Sequence, residues 1–229
     1  MQLYGNKAPA TAQKLVIIAI ELALIVLSFW IMFGKGEALF SNLFGWPIAL
    51  ETPRRRTLVL LFSFIVFIRM TFAMFQLMKR DIPWSETLSV PFAFALYYVG
   101  FAILVLPSHQ SLDWIDFGAI ILFALGCYFN TASEMQRSAF KKKSENKGKL
   151  YTSGLFSLSM HINFFGDILW VIAYALVARN PWGTFIPVVL VSFFAFYNVP
   201  MLDRYLANRY GAQFDAYARR TKKLIPFIW

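Results

Sequence analysis

The chain has 229 residues, of which 59% are apolar or aromatic and 15% charged, against about 25% charged in a soluble domain. Its single cysteine, Cys127, excludes an internal disulfide framework, and the composition excludes collagen-like and disordered chains. A net charge of +10 arrives without any nucleic-acid recognition motif, so it reads as the loop bias of an integral membrane protein.

In chain order, six continuous apolar runs stand out: Leu15–Phe33, Thr57–Met78, Thr87–Leu106, Trp114–Phe129, Leu155–Ala178 and Trp182–Pro200. Most approach the roughly 20 residues that carry a helix across about 30 Å of hydrocarbon. They do not alternate at period two, which argues against a barrel. The fourth run is short, with Asp116 near its start. Between the first and second, Leu39–Leu50 contains Gly45 and Pro47 and reads as an interfacial or re-entrant segment. The longest polar loop is expected over Glu134–Ser153, and the tail from Leu202 to Trp229 is amphipathic and basic. No A-x-A-type site follows the first run, so it is expected to remain as an anchor.

Lys and Arg set the orientation. With the N-terminus inside, 16 fall on the cytoplasmic side: Lys7, Lys14, Lys79, Arg80, six in Arg137–Lys149 and six in Arg204–Lys223. Five fall outside (Lys35, Arg54, Arg55, Arg56, Arg179) and Arg69 lies within a span. The fold expected is all-α, a polytopic membrane bundle of about six transmembrane helices with both termini cytoplasmic, forming a single domain over residues 1–229. The Arg54–Arg56 triplet is the one feature that runs against this count. Bacterial inner membrane and endoplasmic reticulum are equally compatible.

Metal chemistry finds no support, since Cys127, His109 and His161 are scattered. No P-loop, G-x-S-x-G, H-E-x-x-H or G-x-G-x-x-G pattern occurs. Ionisable groups inside spans are expensive to bury and therefore functional candidates. Glu21 lies about 10 Å along its helix from Lys14, and Arg69 about 15 Å along its own from Lys79. Comparable depth predicts a pair, either a structural ion pair or part of an active site. Two amide–carboxylate pairs at i, i+4 spacing, Asn130/Glu134 and Asn163/Asp167, each share a helix face. Such groups grip hydroxyls and carboxamides well; equally, they serve as hydrogen bonds between helices. The basic loop from Arg137 to Lys149 is a topology determinant or a phosphate clamp.

Residues Gly154–Asp167, GLFSLSMHINFFGD, resemble the C-terminal signature of the steroid 5α-reductase family: G-L-F/W, a short polar stretch, then N-Y/F-x-G-E/D. The ending from Lys223 to Trp229, KLIPFIW, is similar to that family's terminal L-I-P-F-I plus aromatic. Asn198–Tyr217 resembles its K/R-Y-G-x-x-F/W-x-x-Y stretch, Asn130–Glu134 its N-x-x-S-D, and Arg69–Phe72 its R-T-F. The resemblance runs over residues 57–229 and is strongest over 130–229. It implies NADPH as cofactor and reduction of a C=C bond conjugated to a carbonyl in a steroid or other hydrophobic lipid enone. It also puts Asn130, Glu134, Asn163 and Asp167 on cofactor-binding positions, and Lys149 where the family tends to direct an Arg toward the cofactor. Setting Leu43–Gly45 beside the family's similar L-F-G puts Glu21 against the Glu of the Gln-Glu pair that opens the second helix of well-known steroid reductases. Ile20 replaces that Gln, and Val66 the Tyr that precedes R-T-F by three residues.

In such a reaction charge builds on the carbonyl oxygen, which needs a donor in a dry site. Glu21, if protonated, and Arg69 are both able to supply one. Two other readings stay open. One is a membrane methyltransferase using S-adenosylmethionine, of the isoprenylcysteine or phospholipid type, whose R-H-P-x-Y is here interrupted by Met160, His161 and Ile162. The other is a non-catalytic sterol- or lipid-binding relative. Neither nucleic acid nor metal is expected as a partner; the lipid bilayer is.

Overall fold

The structure, a computed structural model, describes residues 10–46 and 53–229. Among these residues there are helices and no strand. They are α1 (Thr11–Phe33), α2 (Gly36–Phe44), α3 (Pro53–Leu77), α4 (Trp84–Leu104), α5 (Trp114–Lys142), α6 (Ile162–Ala178), α7 (Pro181–Tyr210) and α8 (Ala212–Arg220). Five of them, α1, α3, α4, α5 and α7, are long and apolar enough to cross a membrane. Helix α6, at 17 residues, reaches about 26 Å at 1.5 Å per residue, a little short of a bilayer core. Large apolar side chains on the outer faces stay exposed, among them Val26, Phe29, Phe92 and Phe196, as a lipid-facing surface requires. The protein is an integral, multi-pass membrane protein built as a helical bundle.

Three boundaries differ from the sequence expectation. The fourth apolar run does not stop at Phe129. Helix α5 continues to Lys142 and absorbs nearly half of the predicted polar loop, because Thr131 to Lys142 contains no Gly or Pro to break it. The fifth run begins at Leu155, but Gly154–Ser157 is a 3-10 turn and the α-helix starts only at Ile162. Part of the expected interfacial segment is helix α2, ended by Gly45 at φ 65°; its remainder, residues 47–50, lies outside the described residues, as does Lys7.

The chain divides into two compact units. One comprises the described residues up to Ile120 together with Ile172–Ile186; the other comprises Ile121–Val171 and Pro187–Trp229. In the first, Tyr174 is fully buried, stacked on Phe101 at 5.1 Å and edge-on to Phe62 at 5.4 Å. Its hydroxyl donates to Ser63 Oγ at 3.2 Å, satisfying the polar tip that a buried tyrosine carries. Helix α4 contains a π turn at Leu96–Gly100. A regular helix turns successive residues by 100°, so adjacent side chains diverge. Within the π turn Tyr97 and Tyr98 are both buried, 8% and 0% exposed.

The first unit also accounts for the anomalous arginine triplet. Arg55 is 1% exposed, and all five of its N–H groups are satisfied. Nε donates to the Gln110 carbonyl at 3.2 Å, one Nη to Asp116 Oδ1 at 2.5 Å and the Val177 carbonyl at 2.8 Å. The other Nη donates to the Ser111 carbonyl and Asp116 Oδ2, both at 2.8 Å. Arg56 bonds the Met32 carbonyl at 2.9 Å and Glu37 at 2.7 Å, and Arg179 pairs with Asp113 and, at 3.4 Å, with Asp116. Three of the five basic residues counted on that side are thus neutralised, which removes most of their weight from the orientation count.

Candidate functional site

The second unit is organised by a close crossing of α5 and α6. A Cβ on Gly126 would stand 2.6 Å from the Gly166 carbonyl oxygen and the Trp170 nitrogen; one on Gly166 would stand 2.6 Å from the Asn130 nitrogen and the Gly126 carbonyl oxygen. The two backbones touch there, which only small residues allow. Asn130 is one turn from Gly126, and Asp167 follows Gly166, so the crossing delivers both amide–carboxylate pairs to one another. Asn130 Nδ2 donates to Asp167 Oδ1 at 2.8 Å and to the Asn163 carbonyl at 3.2 Å. Asn163 Nδ2 donates to Glu134 Oε1 at 3.1 Å. Each amide therefore serves the other helix's carboxylate rather than its own.

Two further residues complete this network, and neither was marked by sequence spacing. Trp170 Nε1 donates to Asp167 Oδ1 at 2.8 Å, and Arg137 binds Glu134 at 2.6 and 2.5 Å. Asn130, Glu134, Asn163 and Asp167 all stay half-buried. Lys141 lies within electrostatic reach of Glu134, Arg137 and Arg209. Pre-oriented carboxylates and amides beside guanidinium and ammonium groups fit a ligand carrying both hydroxyl or carboxamide donors and phosphates. Lys149 is exposed in the loop after α5, and the structure does not bring it into the network.

The sequence signatures fold onto one another in this unit. Gly154 takes φ +59°, with Gln136 Oε1 where a Cβ would sit, and the same oxygen accepts from the Leu155 nitrogen at 2.9 Å. The tail is pinned to the segment before α6: Met160 N to Lys222 O at 2.8 Å, His161 N to Lys223 O at 2.9 Å, and Ser159 Oγ to Leu224 O at 2.8 Å. Phe214 and Tyr217 pack against Met160, and the Tyr217 hydroxyl donates to the Phe156 carbonyl. Burial raises the Tyr217 phenol above its ordinary range. His161, 1% exposed, holds Asp203 through Nε2 at 2.8 Å and stacks on Phe164; a helical sequence pattern does not reveal a partner 42 residues away.

The first unit holds the other candidate residues. Glu21 is 0% exposed, and both carboxylate oxygens are buried with no hydrogen-bond partner. The expected Glu21–Arg69 pair is not formed. The carboxylate's polar neighbour is the hydroxyl of Tyr98, close by but short of regular hydrogen-bond geometry. Arg69 is half-buried and stands within electrostatic reach of Tyr98, as does Tyr174. Depth counted along two helices brought Glu21 and Arg69 to one level but carried no information about their azimuth. Among the described residues no group of three or more His, Cys, Asp and Glu comes together that would hold a metal ion.

Comparison with known proteins bears on both clusters. Residues 73–221, well over half of the chain, match the model of a family described as proteins of unknown function, DUF1295. The chain belongs to that family. The matched stretch of DUF1295 contains Asn130, Glu134, Lys149, Asn163 and Asp167, and also Tyr98, but neither Glu21 nor Arg69. Among individual relatives, a probable O-methyltransferase of Ustilaginoidea virens is 38% identical over 90 residues, covering 39% of this chain and 32% of the relative. A protein-S-isoprenylcysteine O-methyltransferase B of Arabidopsis thaliana is 24% identical over 131 residues, covering 55% of this chain and 66% of the relative. A 3-oxo-5-alpha-steroid 4-dehydrogenase 2 of Rattus norvegicus is 29% identical over 197 residues, covering 82% of this chain and 74% of the relative. The chain thus spans a third to two thirds of the length of the two methyltransferases. The resemblance to steroid reductases stands, beside one to membrane methyltransferases.

Proposed function

We propose that this protein is a membrane-embedded, NADPH-dependent reductase of a C=C bond conjugated to a carbonyl in a hydrophobic lipid or steroid-like substrate. The observation that carries the reading is the interlocked, half-buried network of Asn130, Glu134, Asn163 and Asp167, whose members fall in the stretches that resemble the reductase signature. These four residues hold the hydroxyl- and amide-bearing parts of the dinucleotide. Arg137 and Lys149 attract its phosphates as point or forked charges. When bound, NADPH supplies the hydride. In the first unit Glu21 and Arg69 are the groups assigned to the substrate's oxygen, where negative charge must be stabilised away from water.

A second reading is supported by the two methyltransferase relatives: methyl transfer from S-adenosylmethionine to a lipid thiol, amine or carboxylate. The deciding experiment is a thermal-shift comparison of NADPH, NADH and S-adenosylmethionine on the purified chain in detergent. NADPH is expected to stabilise it most. Losing a charged hydrogen bond costs about 1.5–3 kcal/mol, or about 10- to 150-fold in affinity, so Asn163→Ala and Asp167→Ala should weaken NADPH binding by that factor. Stabilisation by S-adenosylmethionine alone would overturn the reductase reading, and unchanged NADPH affinity in both variants would remove the network from the cofactor site.

A further inference from the structure

Three features of the first unit bear on one another. Glu21 and Tyr98 are both 0% exposed, and their side-chain oxygens are neighbours. Neither the carboxylate oxygens nor the Tyr98 hydroxyl has a hydrogen-bond partner that meets regular geometry. Buried polar groups without partners are costly and are rarely kept unless a ligand satisfies them. The third feature is the π turn at Leu96–Gly100, a local departure from α geometry that recurs at functional sites and that turns Tyr98 inward beside Tyr97.

We propose that Tyr98 is a catalytic residue of this protein, donating its hydroxyl proton to the carbonyl oxygen of an enone held beside Glu21. This inference rests on the reductase reading above. The residue comes from α4, not from the position of Val66 on α3, where a tyrosine is expected from the family pattern. The stoichiometry closes without a further reagent. Hydride from NADPH forms a C–H bond at the β-carbon while the C=C π pair shifts through the α-carbon onto the carbonyl oxygen. The Tyr98 proton passes to that oxygen, giving an enol. The enol proton then returns to Tyr98 as the α-carbon takes up a solvent proton, the one proton the overall reaction consumes. The alkene gains two electrons and two hydrogens, and the dinucleotide is oxidised. Tyr174 and Arg69 stand within electrostatic reach of Tyr98, and the positive charge of Arg69 favours the transient phenolate.

The test uses the full chain in detergent and a 4-en-3-one steroid labelled with ¹³C at the carbonyl. Isotope-edited infrared spectra of the bound probe without cofactor give one readout, and NADPH-dependent turnover gives the other. In the unsubstituted protein the carbonyl band should move to lower frequency than in solution. Tyr98→Phe should return it most of the way and lower turnover by about 100-fold or more, the usual loss for one donor to a developing oxyanion. Tyr97→Phe, one residue away, should change neither. If Tyr98→Phe does not fold, Tyr98→3,5-difluorotyrosine keeps the shape and makes the phenol a stronger hydrogen-bond donor, so the carbonyl band should move to still lower frequency. A carbonyl band in Tyr98→Phe no different from that of the unsubstituted protein, with near-normal turnover, or a band that the fluorinated variant does not move, would overturn the assignment while leaving the reductase reading intact. Failure of the unsubstituted protein to bind or reduce the probe would instead overturn the enone reading, and this inference with it.

Discussion

Replacing Arg55 with methionine removes the most heavily committed side chain in the first unit. The structure sets the size of the effect. Arg55 is 1% exposed and donates five hydrogen bonds; its partner Asp116 has a side chain only 2% exposed. In Arg55→Met three backbone carbonyls lose a donor. Asp116 keeps only the Asp113 nitrogen at 2.9 Å and Arg179 at 3.4 Å. Breaking one side of a buried ion pair costs about 3–5 kcal/mol, because an uncompensated charge stays behind. For a chain of this size that corresponds to a fall of about 6–20 °C in melting temperature. The double variant Arg55→Met, Asp116→Leu removes the stranded charge and should recover more than half of the loss. Melting curves of both proteins in one detergent give the comparison. A single variant that melts within about 2 °C of the unsubstituted protein, or a double variant no better than the single one, would refute the argument.

Gly166→Ala should push α5 and α6 apart, since its Cβ would meet the Asn130 nitrogen at 2.6 Å; overpacking of this kind costs about 1–3 kcal/mol, and NADPH affinity measured by thermal shift should fall with it. Tyr217→Phe leaves the Phe156 carbonyl without its donor and should cost about 1 kcal/mol at neutral pH. Because the folded Tyr217 phenol is raised, its stabilisation is fully present below the unfolded value near 10 and is lost as pH rises from there toward the folded value. Alkaline melting curves of the two proteins should therefore converge as pH rises. Glu21→Gln should abolish most turnover while NADPH still shifts the melting temperature, because it changes the acid and leaves the second unit untouched. Reporter fusions at Trp229 should report a cytoplasmic C-terminus, as the Lys and Arg distribution requires.

What could be read from the sequence was what depends on local periodicity. The apolar runs gave the spanning helices, and i, i+4 spacing put Asn130 with Glu134 and Asn163 with Asp167. That the pairs cross-link depends on where α5 and α6 touch, and only the glycines at 126 and 166 hinted at it. Arg54–Arg56 looked like a topological misfit because counting charges ignores partners; Asp116 lies 61 residues from Arg55 and Glu37 19 residues before Arg56. Glu21 was legible as costly and therefore purposeful, but its neighbour was not. An opposite charge at equal depth is the natural guess, and the neighbour is a neutral phenol turned by a helical irregularity that no hydropathy pattern records.

That irregularity has a consequence for descent. A π turn is one residue more than an α-helix needs, so α4 behaves as a helix that has absorbed a single insertion between Leu96 and Gly100. Removing that residue would re-form regular α-helix; because the wide turn takes up the extra residue within itself, the two halves of α4 would keep their phase and only side chains inside the turn would change direction. Tyr98, inside the turn, would then leave Glu21, while Phe101 and Ala102 beyond it would stay in the core. A single-residue gap at this point between otherwise similar chains therefore marks a change of chemistry, although every named polar residue would still be present in both.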